Sequence, residues 1–249
     1  AAGAARPAAA CAAEERLRVR PRRATTAELY MVYGGSGAIV KMPALSARQR
    51  QAEDEFVQRA KREGYRCRSA YKLAQMDDAF NFLKFGHVVV DLGCSPGGWS
   101  QVALSRVGCS PGRVIGADRL FMEPLFGHNF IQGDFYLPEV RSQVRQEIGS
   151  VGADVVLSDM APNTRSVGQD HAYHAASVLL CRAAQDLALE VLRPGGWFIC
   201  KLFRGQEEAK TLEALTARFE SVTEVQPPAT RSASREVYLV CAGLRAEAL

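Results

Sequence analysis

The 249-residue chain reads as an α/β protein built on a doubly wound, mainly parallel seven-stranded sheet with helices on both faces. Three observations carry this expectation. Short apolar runs alternate with longer stretches of helical period from His87 to Ala242. The run His87-Val88-Val89-Val90-Asp91 is β-branched and nearly all apolar, as a strand covered on both faces must be. It passes at once into a glycine-rich turn, and a second strand, ending in Asp118, follows one helix later.

Taken in order, residues 45–62 turn helical and strongly charged, and Ser69 stands where it can cap a helix that begins in residues 64–73. After the strand at residues 87–91, further strands read at Arg113–Asp118, Asn129–Gly133, Asp154–Leu157, Trp197–Phe203, Val222–Gln226 and Val237–Ala242. Helices read between them at Gly98–Val107, Pro138–Ile148, Ala172–Leu192 and Glu207–Phe219. Residues 1–44 form a basic, Ala/Arg-rich extension, and residues 45–249 form the folded domain. No internal repeat interrupts this pattern.

The turn Asp91-Leu92-Gly93-Cys94-Ser95-Pro96-Gly97-Gly98-Trp99 is the first candidate ligand site. Glycines let backbone approach a ligand closely where a strand gives way to a helix. The turn lacks the G-x-G-x-x-G register of dinucleotide binders and the Lys-Ser/Thr pair of a phosphate-binding loop. It is similar instead to the first motif of Rossmann-type methyltransferases, D-x-G-x-x-P-G-G-[WF], with Cys94 and Ser95 where that family commonly has alanines. The resemblance implies that Gly93, Pro96, Gly97, Gly98 and Trp99 wrap the methionine portion of S-adenosylmethionine. Asp118 stands where a doubly wound fold places a carboxylate for ribose hydroxyls. Asp134, in Gln132-Gly133-Asp134-Phe135, resembles the family position that contacts the adenine amino group.

Four further residues sit in recognisable surroundings: Lys72 in Arg68-Ser69-Ala70-Tyr71-Lys72-Leu73, Asp159 in Ser158-Asp159-Met160-Ala161-Pro162-Asn163, Lys201 in Cys200-Lys201-Leu202-Phe203, and Glu236 in Ser234-Arg235-Glu236-Val237-Tyr238. Asp159 and Lys201 end the fourth and fifth strands and so face the crevice at the carboxyl edge of the sheet. Lys72, by itself, reads as a helix-surface lysine. In this order the four resemble the K-D-K-E set of the FtsJ/RrmJ-type RNA 2′-O-methyltransferases, and the resemblance runs from about Tyr65 to Ala242. It implies the catalytic tetrad Lys72, Asp159, Lys201 and Glu236, with Asp159 also beside the cofactor. A ribose hydroxyl is a poor nucleophile that must be aligned and deprotonated. The tetrad then reads as Lys201 the base, Asp159 orienting it, and Lys72 with Glu236 steering the ribose. A second cation at Lys72 favours the neutral amine of Lys201, while Asp159 favours the ammonium.

The formal net charge of +4 is unevenly spread. Residues 1–72 hold 15 Lys/Arg against 7 Asp/Glu, and the remainder holds 16 against 20. A basic arm on a mildly acidic body suggests a polyanionic partner. Arg59, Lys61, Arg62, Arg66 and Arg68 flank Lys72, with Tyr65 and Tyr71 between them, a patch suited to phosphates and a stacked base. The implied partner is large-subunit ribosomal RNA or a pre-ribosomal large subunit, with a uridine ribose as the target and ribosomal or assembly-factor proteins meeting the N-terminal extension. Residues 65–73 look particularly like the mitochondrial members. Residues 1–26, Arg-rich with only Glu14 and Glu15 acidic, have presequence composition. The matrix is therefore the expected location, with a cytoplasmic one as the alternative.

None of the seven cysteines forms a C-x-x-C pair, which argues for buried thiols rather than a zinc site. No apolar run approaches membrane-spanning length, so a soluble protein without membrane contact is expected. Three competing readings stay open: a dehydrogenase using Asp118, a methyltransferase acting on transfer RNA, and an assembly factor that works mainly by binding.

Overall fold

The structure, a computed structural model, describes residues 52–162, 170–231 and 234–246. The N-terminal extension, Asn163 and the first part of the helix expected from residue 45 lie outside them. Seven strands form one sheet: β1 (Val88–Leu92), β2 (Arg113–Asp118), β3 (His128–Gln132), β4 (Ala153–Ser158), β5 (Leu192–Phe203), β6 (Phe219–Val225) and β7 (Glu236–Leu244). Their spatial order is β3-β2-β1-β4-β5-β7-β6, with β7 antiparallel to both neighbours and the other pairs parallel. The helices are α1 (Ala52–Arg62), α2 (Ala70–Phe80), α3 (Gly98–Val107), α4 (Pro138–Ile148), α5 (Asp170–Val191) and α6 (Glu208–Thr216). The expected doubly wound, mainly parallel seven-stranded α/β architecture is therefore present.

Burial on both faces explains the sequence pattern. Side chains on one face of the sheet, including Leu92, Ile115, Val156 and Leu239, pack under α4, α5 and α6. The other face, with Val89, Val114, Leu157, Ile199 and Tyr238, packs under α2 and α3. All five residues of β1 are buried. Each fully buried valine or leucine stabilises by about 1.5–3 kcal/mol, which offsets the cost of carrying Asp91 in the same strand.

The largest departures from expectation are two boundaries and one cap. Phe219, expected to end α6, instead begins β6, opposite Leu244. Its ring is fully buried against Phe198 at 6.3 Å, so packing rather than helical period decides its place. β5 begins five residues early, at Leu192, which pairs with Ala153 before a register shift. Ser69 precedes α2 but is itself helical, with φ −64° and ψ −20°, and its hydroxyl contacts Cys67 Sγ instead of capping. A helical Ncap cannot aim its side chain back at the first turn.

The chain reverses its winding between β1 and β4, which are hydrogen-bonded neighbours. In doubly wound sheets, ligands bind outside the carboxyl ends of the strands at such a point. Cys94, Cys181, Cys200 and Cys241 are buried free thiols, Cys67 is half-buried and Cys109 exposed. Among the described residues, no helix is long and apolar enough to cross a membrane.

Candidate active site

A cavity of about 310 Å³ opens at the switch point, at the carboxyl ends of β1, β2, β3 and β4. Gly93 and Met160 form one wall, Asp118, Arg119 and Leu120 the next, and Asp134, Phe135 and Tyr136 the far end. Gly93, at φ +73°, is required twice over. A side chain would strain the backbone there, and its Cβ would lie 2.4 Å from Met160 Cγ. Asp118 Oδ2 accepts a hydrogen bond from Ser95 N at 2.9 Å and Oδ1 one from Leu120 N at 2.8 Å. The carboxylate thus ties the glycine loop to the next wall and keeps further lone pairs for a ligand. Asp134 Oδ1 accepts from Tyr136 N at 3.0 Å, and Arg119 lies 3.8 Å from Oδ2.

Gly93, Asp118, Asp134 and Asp159 all line this cavity, as expected of cofactor-binding residues. Pro96, Gly97, Gly98 and Trp99 are not in its lining. Pro96 is exposed, whereas Gly97, Gly98 and Trp99 are buried against the protein on the other side of the loop. A Cβ at Gly98 would sit 2.3 Å from Cys67 Sγ, and one at Gly97 would meet Arg66 Nη1 and Met122 Sδ at 3.0 Å. Trp99 is buried, stacks obliquely on Tyr238 at 5.7 Å and donates from Nε1 to Ser69 O at 2.9 Å. These contacts hold α3 and its loop against the segment that leads to Lys72.

The tetrad assembles beside the Asp159 end of the cavity. Lys201 Nζ donates to Asp159 Oδ1 at 2.9 Å and to the Asp159 carbonyl at 2.5 Å. Lys72 Nζ forms an ion pair with Glu236 Oε1, and both side chains are about 12% exposed. Pairing each lysine with a carboxylate is what makes so much charge tolerable at this burial. Register explains the meeting: Lys201 lies opposite Tyr238, and Phe203 opposite Glu236. The structure therefore brings together all four residues expected from the sequence.

Sequence reasoning gave Tyr238 no role. Its hydroxyl donates to Asp159 Oδ1 at 2.7 Å and lies 3.3 Å from Lys72 Nζ, so it joins the two ion pairs. The available signal is spacing, since residues two apart on one strand share a face and Glu236 and Tyr238 do so. Burial alone would raise the Asp159 carboxyl. The charges of Lys201 and Lys72, with hydrogen bonds from Lys201 and Tyr238, outweigh it and hold the group below its usual range. Tyr238 is pushed well up, first by burial and then by Asp159 and Glu236, so it remains a neutral donor.

Asp91 was legible only as part of the glycine-rich motif. It is 1% exposed and accepts from Ser100 Oγ at 2.7 Å through Oδ2, while Oδ1 has no partner. Burial, partly countered by Ser100, raises its pKa to about 7.

The basic patch is less open than expected. Arg59 pairs with Glu63, Arg66 bonds to three backbone carbonyls, and Arg68 bonds to Ala229 O at 2.7 Å. Lys61 and Arg62 on α1 are exposed.

A polar cavity with three carboxylates along it suits a ligand that carries a cationic sulfonium and amine at one end, a diol in the middle and an amino-purine at the other. That donor set fits S-adenosylmethionine. The sequence profile of FtsJ-like methyltransferases matches residues 65–244. The chain is 47% identical over 194 residues to the ribosomal RNA large subunit methyltransferase E of Halorubrum lacusprofundi, covering 77% of this chain and 71% of that one. It is 44% identical over 207 residues to the protein of the same name from Roseobacter denitrificans, covering 80% and 85%. The crystal structure of a ribosomal RNA methyltransferase from Plasmodium falciparum superposes with a TM-score of 0.66 at 30% identity, over 72% of this chain and 98% of that one. The fold, the cavity at its switch point and the match across the whole described sheet agree: this chain belongs to the FtsJ-like methyltransferase family, whose members use S-adenosylmethionine.

Proposed function

We propose that the protein methylates the 2′-hydroxyl of a ribose, that of a uridine, in large-subunit ribosomal RNA. The observation that carries this reading is the pair of lysine–carboxylate contacts joined through Tyr238 beside the Asp159 end of the cavity. The relatives' names support the RNA class.

When bound, S-adenosylmethionine supplies a methyl group already activated on sulfur. The chain's own residues have two tasks: to align the hydroxyl, and to take its proton. Two of the donor positions of Lys201 are occupied by Asp159, which fixes Nζ and leaves the third direction for the ribose hydroxyl. Lys201 is the proton acceptor for that hydroxyl. Lys72, held by Glu236 and Tyr238, contacts the neighbouring ribose oxygen or phosphate and keeps the hydroxyl in line. Asp159 positions Lys201 and forms the cavity wall nearest it.

The substrate is taken within pre-ribosomal large subunits, where residues 1–44 contact ribosomal or assembly-factor proteins. The Arg-rich, acid-poor composition of residues 1–26 supports the mitochondrial matrix as the site of action. Mapping ribose methylation on large-subunit RNA with and without the protein tests the central claim. One 2′-O-methyl group should disappear on depletion. An unchanged large-subunit map, with a lost modification on transfer RNA, would assign the other substrate.

A further inference from the structure

Arg66 carries the strongest unassigned arrangement in the molecule. It lies six residues before Lys72, in a stretch whose composition suggests phosphate contacts. Its guanidinium turns inward instead. Nη1 donates to Pro96 O at 3.1 Å and to Glu123 O at 2.5 Å, and Nη2 donates to Pro124 O at 2.9 Å. Its backbone N–H donates to Gln101 Oε1 at 2.8 Å, and Gln101 Nε2 donates to Gly64 O, which fixes the segment to α3.

The three carbonyls belong to two different loops. Pro96 is in the glycine loop, whose Gly93 and Ser95 line the cavity. Glu123 and Pro124 follow Asp118, Arg119 and Leu120, which form the adjoining wall. On the cavity side these walls are joined by Gly93 N–H donating to Ala117 O at 2.8 Å and by the contacts from Ser95 to Asp118 and to Phe121 O. Arg66 joins them from behind. A Cβ at Gly97 would lie 3.0 Å from Arg66 Nη1, so a side chain there would require the guanidinium to give way by a few tenths of an ångström. A planar fork of fixed donors can span carbonyls on two loops, whereas a lysine ammonium on its flexible stem cannot reproduce that span.

We infer that Arg66 is a positioning residue for the cofactor, setting the separation of the two cavity walls, and is not an RNA phosphate contact. This rests on the reading that S-adenosylmethionine occupies the cavity. Because the same segment continues into α2 and Lys72, ordering of the cavity walls and placement of the ribose-side lysine share one mechanical element.

The experiment compares the full chain with Arg66→Lys and Arg66→Gln, measuring S-adenosylhomocysteine binding by calorimetry, RNA binding across a salt series, and steady-state methyl transfer. The dissociation constant and the KM for the cofactor should rise about tenfold or more in both variants, the scale of losing one charge-assisted hydrogen bond. The change in kcat should be smaller, and RNA affinity and its salt slope should stay at wild-type values. If wild type itself binds no S-adenosylhomocysteine, the cofactor reading fails before Arg66 is in question. If wild type binds and Arg66→Lys binds equally well, the positioning role is wrong. A salt slope that drops by about one with an unchanged cofactor KM would make Arg66 a phosphate contact. A lower melting temperature with all three other readouts unchanged would reduce it to a structural contact and overturn the inference too.

Discussion

Tyr238 Oη donates to Asp159 Oδ1 at 2.7 Å, across 79 positions of the chain. The same carboxylate oxygen receives Lys201 Nζ, and the phenolic oxygen faces Lys72 Nζ at 3.3 Å. Two lysines that pair with different carboxylates are thereby coupled through one neutral hydroxyl. The pairing of β5 with β7 makes this possible, since it sets Tyr238 directly opposite Lys201. Asp159 is the common member, and its depressed pKa reflects that convergence of donors.

Removing the hydroxyl alone tests this coupling. Tyr238→Phe keeps the ring that Trp99 packs against, so the core should survive. Methyl transfer in single turnover should fall about tenfold through loss of one hydrogen bond to a charged group. Cofactor affinity should change little. A wild-type rate would show that the two ion pairs act independently.

The proton acceptor is tested by Lys201→Ala, expected to lower methyl transfer by about a hundredfold or more. Asp159→Ala should lose as much and weaken cofactor binding too, because Asp159 lines the cavity. RNA affinity should be nearly intact in the Lys201 variant. Near-normal single-turnover rates there would remove Lys201 from the mechanism. Rescue of a depletion phenotype by the inactive variant would favour a role through binding.

Asp118→Ala should weaken S-adenosylmethionine binding in calorimetry, both by removing a ligand acceptor and by releasing Ser95 and Leu120. Tight NADH binding by the wild-type protein with no response to S-adenosylmethionine would point to a dehydrogenase instead.

Asp91 predicts a pH dependence of stability. Its folded-state pKa of about 7 exceeds the ordinary aspartate value of 3.8, so the folded state holds a proton that the unfolded state has lost between those values. Stability contributed by Asp91 is therefore present at low pH and declines as pH rises from about 4 to about 7. Asp91→Asn, which mimics the protonated carboxyl, should flatten that decline. The melting temperatures of wild type and variant, followed from pH 5 to pH 8, should converge at the acid end and separate by a few degrees at the alkaline end. Parallel curves would mean that Asp91 does not titrate in this window. Asp159 acts with the opposite sign: its stabilising contribution is present above pH 3.8 and is lost as pH falls through its lower folded value.

The arm precedes every strand of the sheet in the chain. Residues 1–51 hold 9 Lys/Arg against 3 Asp/Glu. α1 must be kept, because Ala60 is buried and Phe56 packs on Tyr71 at 5.3 Å. Deleting residues 1–51 should weaken binding to RNA or particles and flatten the slope of log affinity against log salt, leaving cofactor affinity unchanged. An unaltered slope would make the arm a targeting or protein-binding segment.

A family resemblance supplied the four tetrad positions, whereas the sequence by itself determined the seven strands in outline and the glycine turn. These are local signals: a buried strand announces itself in five consecutive residues of β1, and Gly93 follows from one turn. The sequence also placed Asp118, Asp134 and Asp159 at or just past strand ends, whereas Lys201, expected to end its strand, lies within β5 opposite Tyr238. Only the tertiary structure decided what joins them. Tyr238 read as one more aromatic in a strand, and Arg66 as one more cation in a basic stretch. Their hydrogen bonds to Asp159 and to Glu123 and Pro124 cross 79, 57 and 58 positions respectively. Composition cannot tell an arginine that faces phosphate from one that spans two loops, because both need the same five donors. The same holds for Phe219, which helical period assigned to α6 and burial against Phe198 assigned to β6. Where a residue's partner is set by the folding of distant segments, packing and hydrogen-bond satisfaction choose its role, and local pattern carries no record of that choice.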